Sequence, residues 1–479
     1  MVARLGAASA AGIRAPRRWP GSGVRLLLAG SIVLAAALAV YFTFMATHPM
    51  FRWMAPVDLG VYRLGGEIAA GNAPPGYLHL AYPLYGWPGT GLKFTYPPFA
   101  ALVFTILTLP SASLLLKLSI GVNIAALAAA IWATLGGLGY RLGVIRVGAT
   151  LLITGAVFWT EPVQRTLYLG QIELVLMALI MWDMCQPDRR WWKGAGLGIA
   201  AGIKLVPLVF IPYLLLTRRF RQAGVAAGTF AGTVALGFVL LPSDSRDWWL
   251  DGLFLKSGRT GFVGWEGNQS LQAIITRLSG SIAAGRPIWL AAAIVTLIIG
   301  LASAALLDLA GHRVVGLLTC ALTGLLVSPI SWDHHWVWIA PAVTVLAVYG
   351  VRARGSLRWA FLAGAALVVA VFGAWPGWLW GEPIDLGGFW MGFIWAPPNT
   401  NPGVFAQLGD RPSYVEYHWH GFQLIAGNLY VLTGMALFVL LVALAIRTRL
   451  AGRRQVRPAL GVAQAARADS ASARIGIAR

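Results

Sequence analysis

Several short polar segments interrupt this apolar chain, and they contain residue types suited to acid–base chemistry and to binding phosphate or sugar. Asp58 is the most isolated of these residues, since its neighbours Pro56, Val57 and Leu59 are not charged. An unpaired carboxylate at a membrane boundary is costly and is usually kept for a function. The alternative is structural, with Asp58 capping a helix or pairing with Arg63. The local pattern leaves both interpretations of Asp58 open.

Two other segments carry groups that suit a sugar phosphate. Arg165 is of the type that binds phosphate, and Gln171 and Glu173, at the start of a predicted helix, suit sugar hydroxyls. Further along, the short polar side chains of Asn268 and Gln269 could also bind hydroxyl groups. Each residue taken alone is more often part of a satisfied helix end, so only the combination indicates a binding site.

A fourth segment, Ser-Pro-Ile-Ser-Trp-Asp-His-His, ends in the adjacent histidines His334 and His335. Paired histidines can bind a metal or hydrogen-bond to a phosphate. Two histidines and one aspartate lack the wider ligand set of a dedicated zinc site, so phosphate contact is preferred and no metal is predicted. The two cysteines, Cys185 and Cys320, both fall in apolar runs and indicate neither a disulfide framework nor a zinc site.

The elements that must position these residues are membrane helices. Hydrophobic residues make up 58% of the 479 and charged residues only 11%, whereas a soluble domain carries about a quarter charged residues. Apolar runs long enough to span a bilayer recur along the chain. We therefore expect an all-α polytopic membrane protein with three regions: a basic tail at residues 1–24, a membrane domain at residues 25–446 and a second basic, disordered tail at residues 447–479.

The net charge of +20 comes largely from arginines in the two tails. The positive-inside rule places both tails in the cytoplasm of a plasma-membrane protein, so nucleic acid is not the expected partner. Both ends on one side require an even number of crossings, and the apolar runs predict about twelve. Residues 48–97, 242–286 and 376–420 then form outer loops. These loops, with the outer helix ends, carry most of the polar segments described above.

Two segments do not fit a simple alternation of spans. Residues 98–109 are too short to cross alone and are predicted as an interfacial or re-entrant helix of the first outer loop. Residues 194–216 have the length of one span, yet basic residues follow on what should be the same side. That conflict predicts a broken helix near Lys204 and Pro207, of the kind found where backbone lines a cavity.

The ordered set of motifs resembles a known family. An Asp in the first outer loop, Thr-Tyr-Pro-Pro, Gly-Gln-x-Glu, Gly-x-Lys-x-x-Pro, Asn-Gln-Ser and Ser-Pro-x-Ser-Trp-x-His-His occur in that order over residues 25–446. Together they resemble the actinobacterial polyprenyl-phosphomannose-dependent α-1,2-mannosyltransferases of glycosyltransferase family 87, in the GT-C superfamily. The resemblance implies a GT-C fold of about twelve transmembrane helices, with interfacial helices in the first outer loop. Glu173 departs from the pattern, because many relatives carry Asn there.

The resemblance also implies a reaction and its residues. A polyprenyl phosphate mannose donor would transfer mannose, with inversion, to a phosphatidylinositol mannoside acceptor on the periplasmic face, without a cofactor. Asp58 would be the general base that deprotonates the acceptor hydroxyl. The donor phosphate would be bound by Lys204, His334, His335, Arg63 and Arg165. The sugar and the acceptor would be bound by Tyr62, Tyr96, Gln171, Glu173, Trp265, Asn268 and Gln269.

Two alternatives remain. A transferase of the same fold could use an arabinose donor or modify protein hydroxyls, because a missing hydroxymethyl group leaves little trace in a sequence. A secondary transporter or lipid flippase would also explain the spans and the broken helix. Transporters show internal repeats and place polar groups near the bilayer midplane, whereas here we find no repeat and the polar segments lie at predicted outer helix ends.

Overall fold

The computed structural model of the protein describes residues 22–47, 57–72, 83–85, 92–376, 390–400 and 410–451. The basic tails predicted at residues 1–24 and 447–479 lie largely outside this part of the chain. Six helices in it are long and apolar enough to cross a bilayer: α1 (Ser22–Thr47), α4 (Ala112–Gly137), α10 (Phe220–Leu240), α13 (Ile282–Leu309), the segment Asp333–Arg352 and α18 (Leu429–Ala451). The prediction of an all-α membrane protein is confirmed, and the count of about twelve crossings stays a prediction.

Shorter helices fill the intervals between the long ones. They are α2 (Val57–Ala69), α3 (Pro98–Phe104), α5 (Val144–Phe158), α6 (Glu161–Leu169), α7 (Glu173–Met184), α8 (Ala195–Ile203), α9 (Phe210–Leu216), α11 (Pro242–Ser245), α12 (Leu271–Ser279), α14 (Arg313–Val327), α15 (Ile339–Arg352), α16 (Ser356–Val371) and α17 (Phe422–Ala426). Single 3₁₀ turns include Thr105–Thr108, Val206–Val209, Ser257–Thr260 and Asp333–Trp338. Two small antiparallel hairpins, β1 (Pro83–Tyr85) with β2 (Leu92–Lys93) and β3 (Trp375–Pro376) with β4 (Trp390–Met391), lie between helices.

Close backbone contact through small residues holds the first helix against the bundle. A Cβ atom on Gly30 of α1 would lie 2.5 Å from the carbonyl oxygen of Gly148 of α5, and one on Gly148 would lie 2.7 Å from the backbone nitrogen of Leu27. In lipid there is little hydrophobic gain from joining two apolar helices, so such close van der Waals packing supplies the attraction. These two glycines therefore allow α1 and α5 to pack with their backbones in close contact.

The predicted break at Lys204 is confirmed. Helix α8 ends at Ile203, Lys204 is extended (φ −144°, ψ 132°), and Pro207 lies in the 3₁₀ turn that leads into α9. Both ends of this segment meet at Asp188: Lys193, just before α8, pairs with it at 2.9 Å, and Arg219, after α9, pairs with it at 3.6 Å. The segment therefore enters and leaves the bundle on the same side, as two short helices.

A second break lies between α6 and α7, which meet at an angle of 117°. Gly170 ends α6 in the left-handed conformation (φ 67°), which favours glycine because a Cβ atom would be strained there. The sharp turn leaves Gln171 and Ile172 outside either helix and starts α7 at Glu173. The two breaks, at Gly170 and Lys204, supply side chains to one cavity.

The part of the chain between α1 and α4, which the sequence predicts as the first outer loop, contributes two short helices beside this cavity. Helix α2 begins directly before Asp58, and Gly66 of α2 packs against α3, where a Cβ atom would meet the Phe104 carbonyl. Pro97 and Pro98 start α3, as expected of proline in a first helical turn. The predicted short helix at residues 98–109 is observed as α3 and the following 3₁₀ turn.

Candidate active site

One cavity, with a volume of about 230 Å³, brings together residues from six separate parts of the chain. Seven of the predicted site residues line it: Asp58, Tyr62, Tyr96, Gln171, Lys204, His334 and His335. They come from α2, the segment before α3, the two helix breaks and the 3₁₀ turn that precedes α15. The cavity is thus formed where helices start, stop or break.

Asp58 lies half-buried in the first turn of α2, at the wall of the cavity. Burial raises the pKa of its carboxyl group above the usual range. The electrostatic effects of His334 and Lys204, together with a hydrogen bond donated by Gln171, lower this pKa in part. The alternative interpretation, an ion pair between Asp58 and Arg63, is not what the structure shows. Arg63 instead pairs with Glu67 of the same helix at 3.1 Å.

Gln171 is held in one orientation by two tyrosines. The hydroxyl groups of Tyr62 and Tyr96 both donate to its Oε1 atom, the latter at 3.2 Å, and lie 2.7 Å from each other. With its oxygen used in this way, the amide nitrogen of Gln171 is the atom that faces Asp58 as a donor. The arrangement therefore directs a hydrogen bond at the Asp58 carboxylate.

Lys204 forms the charged centre of the cavity. Its ammonium group is paired with the Oε1 atom of Glu173 and lies 2.9 Å from the Nε2 atom of His335, which is itself 3.3 Å from that oxygen. The other carboxylate oxygen, Glu173 Oε2, is buried and has no hydrogen-bond partner within the described residues. The Lys204 charge is therefore at least partly compensated by Glu173 before any substrate binds.

His334 is oriented by a chain of buried polar groups. Its Nδ1 atom lies 3.0 Å from Asp333 Oδ1, and Asp333 Oδ2 accepts a hydrogen bond of 3.1 Å from Arg165. The Arg165 guanidinium in turn lies 4.7 Å from the ring centre of Trp395. With Nδ1–H donating to Asp333, the Nε2 atom of His334 is buried and has no protein partner in the described part of the chain. It is free for a ligand in the cavity.

A metal ion fits this site poorly. Glu173, His334 and His335 each offer a ligand atom, and these atoms lie within 4.8 Å of one another. The Lys204 ammonium already contacts two of the three residues, so an added cation would lie close to a positive charge in a partly buried site. The prediction of no metal stays a prediction.

The other predicted site residues do not line the cavity. Arg165 is engaged with Asp333, and Trp265 packs edge-on against Trp332 and Trp395. Asn268 and Gln269 are fully buried and hold the loop together: Asn268 donates to the carbonyl groups of Val263 and Pro329, and Gln269 donates to those of Glu266 and Gly427. Glu173 reaches the site only through Lys204 and His335.

The structure also places in the cavity wall four residues that the sequence did not single out as ligands: Lys93, Trp248, Lys256 and Arg259. Lys93 directly precedes the Thr-Tyr-Pro-Pro segment, and the others lie between residues 246 and 260 of the second outer loop. That loop alternates basic residues with Trp and Leu, a pattern typical of a membrane interface. This combination of basic, Trp and Leu residues was the sequence feature that could have indicated a binding surface here.

Comparison with known proteins agrees with this architecture. A family model described as Glycosyltransferase family 87 matches residues 94–329. A polyprenol-phosphate-mannose-dependent alpha-(1-2)-phosphatidylinositol mannoside mannosyltransferase of Mycobacterium tuberculosis is 33% identical over 325 residues, which cover 65% of this chain and 75% of that protein. A polyprenol-phosphate-mannose-dependent alpha-(1-2)-phosphatidylinositol pentamannoside mannosyltransferase of the same species is 36% identical over 312 residues, which cover 64% of this chain and 70% of that protein.

A further pentamannoside mannosyltransferase, from Mycolicibacterium smegmatis, is 34% identical over 322 residues, which cover 64% of this chain and 74% of the relative. No solved structure matches the chain. The fold and the cavity define a multi-pass membrane enzyme whose polar site lies at helix breaks. The chain belongs to glycosyltransferase family 87, a family of membrane glycosyltransferases of GT-C type, and the resemblance noted in its motifs is confirmed.

Proposed function

We propose that the protein transfers mannose from polyprenyl phosphate mannose to a phosphatidylinositol mannoside, forming an α-1,2 linkage with inversion and using Asp58 as general base. The donor and acceptor classes are those named for relatives that are 33–36% identical to this chain. The observation that carries the catalytic part is the placement of Asp58. It supplies the one carboxylate among the described residues that line the cavity.

The chemistry follows from that position. Asp58 accepts the proton of the acceptor hydroxyl, whose oxygen attacks the anomeric carbon of the mannose. The bond between that carbon and the phosphate oxygen breaks, and the electron pair leaves with the polyprenyl phosphate, which inverts a β-linked donor to an α-linked product. Because burial raises the pKa of Asp58, its carboxylate is a stronger base than an ordinary exposed one.

The leaving phosphate gains negative charge as the bond breaks, so fixed donors near it lower the barrier. His334 is the best placed, because its Nε2 atom has no protein partner in the described residues and Asp333 fixes its orientation. Lys204 and His335 lie beside it. Arg63 and Arg165 remain part of the proposal as weaker candidates, because each is already paired with a carboxylate and neither lines the cavity.

The residues proposed to bind the sugar and the acceptor also divide into those that line the cavity and those that do not. Tyr62, Tyr96 and Gln171 line the cavity and would contact the substrates directly. The remaining four residues of the proposal, which do not line it, would shape the site from behind: Glu173, Trp265, Asn268 and Gln269. The tyrosine and glutamine hydrogen-bond network would then orient Asp58 as well as bind hydroxyl groups.

Membrane orientation is also proposed. The ionic cluster at the far end of α7 and α8 includes Lys193, Arg219 and Arg313, and the positive-inside rule favours the cytoplasm for such a cluster. Helix α7, with 12 residues, separates Glu173 from this cluster by about 18 Å. The active site would accordingly face the outer side of the plasma membrane, with both termini in the cytoplasm and both lipid substrates entering from the bilayer.

The deciding experiment is mannosyl transfer by purified protein in detergent, from polyprenyl phosphate mannose to a phosphatidylinositol tetramannoside. Asp58→Asn should lower kcat by about 10²–10⁴-fold, as expected for loss of a general base. Glu67→Gln is the matched control, because it removes a carboxylate from the same helix outside the cavity and should retain activity. Digestion with a linkage-specific α-mannosidase identifies the product.

Two results would contradict the proposal. Asp58→Asn with wild-type turnover would remove the general-base assignment. If wild-type protein transfers nothing from the mannose donor, the alternatives are an arabinose donor, a protein acceptor or lipid transport. The same assay with a polyprenyl phosphate arabinose donor would test the arabinose alternative.

A further inference from the structure

Three basic side chains of the cavity have no role in the proposed reaction. Lys93, Lys256 and Arg259 all line the cavity that contains Asp58. The Arg259 guanidinium donates a hydrogen bond of 3.1 Å to the backbone carbonyl of Phe94, which places it beside the strand that ends at Lys93. The group therefore joins the first and second outer loops at the cavity wall.

These three cations differ from Lys204 in their charge balance. Lys204 is paired with Glu173, whereas none of the three lies within 4.0 Å of a carboxylate oxygen in the part of the chain that the structure describes. Asp58 is the one carboxylate that these described lining residues offer against four cations. Uncompensated like charges that share a low-dielectric cleft repel one another and attract an anion.

The surroundings of the three cations are those of a membrane interface. The segment at residues 246–260 exposes Leu250 and Leu255, which are 68% and 73% accessible. Trp248 of the same segment lines the cavity, with the Arg259 guanidinium 6.0 Å from its ring centre. Exposed leucines beside tryptophan and basic residues are typical of protein surface at the headgroup level of a bilayer. The anion expected here is a lipid phosphate.

We propose that Lys93, Lys256 and Arg259 form an anion subsite that binds the phosphodiester of a lipid substrate at the cavity wall, while its hydrocarbon chain lies along residues 246–260. The inference rests on the proposed function, in which both substrates are phosphodiester lipids. Arginine and lysine fit this ligand because they make short, charge-assisted hydrogen bonds to phosphate oxygens. If the lipid is the donor, these cations bind the same phosphate as His334; if it is the acceptor, they bind a second phosphate.

Steady-state kinetics with both lipids tests the subsite. The variants are Lys256→Gln and Arg259→Gln, and the matched control is Arg286→Gln, which removes an exposed cation in the first turns of α13 that does not line the cavity. We expect each subsite variant to raise the KM of one lipid about tenfold, the value of one charge-assisted hydrogen bond, with kcat within about twofold. Arg259→Lys, which keeps the charge, should recover part of the loss.

The kinetics also identify the lipid. A raised KM for polyprenyl phosphate mannose at saturating acceptor assigns the subsite to the donor, and a raised KM for the mannoside at saturating donor assigns it to the acceptor. Arg259→Gln also loses the bond to Phe94, so Lys256→Gln, whose side chain is exposed, is the cleaner variant. KM values for both lipids equal to those of Arg286→Gln would overturn the proposal.

A binding measurement separates this inference from the proposed reaction. The experiment measures how much lipid wild-type and Lys256→Gln protein retain in nanodiscs. Each phosphorylated lipid is compared with its alcohol: polyprenyl phosphate with polyprenol, and phosphatidylinositol with diacylglycerol. The subsite predicts that Lys256→Gln weakens retention of a phosphorylated lipid and leaves its alcohol unchanged. This result holds even if the enzyme transfers no mannose, and equal retention of both phosphorylated lipids by the two proteins would refute the subsite independently.

Discussion

The ion pair between Lys204 and Glu173 can be tested by removing each charge and then both. Lys204→Met deletes the ammonium group and leaves the Glu173 carboxylate with His335 as its remaining contact. Glu173→Gln deletes the negative charge and leaves Lys204 at the cavity. The double variant removes both charges and keeps side chains of similar size. Comparison of the four proteins gives the coupling energy of the pair.

The expected magnitude follows from burial. The side chains of Lys204 and Glu173 are 18% and 7% accessible, and breaking a buried ion pair from one side costs about 3–5 kcal/mol because a charge is left uncompensated. Lys204 is partly accessible, so we expect Lys204→Met to cost about 3 kcal/mol, at the lower end of that range. Loss of both charges is often nearly neutral, so the double variant should lie within about 1 kcal/mol of wild type.

Stability and turnover report on different roles of Lys204. The free energy of unfolding is measured by titrating SDS into mixed micelles, and kcat is measured in the transfer assay. If Lys204 also stabilises the leaving phosphate, the double variant regains stability and still loses about 10²–10³-fold in kcat. If its role is only to compensate Glu173, stability and kcat recover together.

One result would refute the reasoning about the pair. Lys204→Met as stable as wild type, with no gain on adding Glu173→Gln, would mean that the two charges are not coupled. The 3₁₀ turn and proline at the break, rather than the ion pair, would then fix the position of Lys204. Glu67→Gln serves as the control, because its partly exposed ion pair with Arg63 should contribute at most about 1 kcal/mol.

Two further predictions concern the groups around the cavity. Asp333→Asn removes the acceptor for His334 Nδ1–H and should lower kcat about 10–100-fold with a smaller change in KM. Asp333→Glu should recover part of kcat. An unchanged kcat in Asp333→Asn would contradict the role of Asp333 in positioning His334. Because burial raises the pKa of Asp58 and the base must be ionised, kcat/KM should fall as pH falls through that raised pKa, above the usual value of about 4. A pH–rate profile without this acidic limb would contradict the assignment.

Much of the helix pattern could be predicted from the sequence because apolar runs of fixed length are a local signal. The break at Lys204 is the clearest case. Basic residues on both sides of one apolar run conflict with a single crossing, and the structure resolves the conflict with two short helices. The turn at Gly170 was less visible, because one glycine in a polar segment does not reveal an angle of 117° between helices.

The candidate site was predictable only in part, because pairing between distant residues is not a local property. Arg165 was expected to bind phosphate from its type alone, yet its partner Asp333 lies 168 residues further along the chain. Lys256 and Arg259 resemble ordinary loop cations until the fold places them in the wall of the cavity that contains Asp58. Residue type indicates what a side chain can bind, and the fold determines whether it is available.

The two helix breaks explain how polar catalytic groups are accommodated in a membrane protein. Unpaired backbone groups are tolerated at membrane depth only where they line a cavity or are buried in protein, so a polar cavity is one place where helix breaks can be accommodated. At the first break Gly170 ends α6 and places Gln171 next to Asp58; at the second, Lys204 keeps its backbone hydrogen bond to Ala200 while its side chain turns toward Glu173. The same interruptions that end the helices thus position the donor to Asp58 and the central cation.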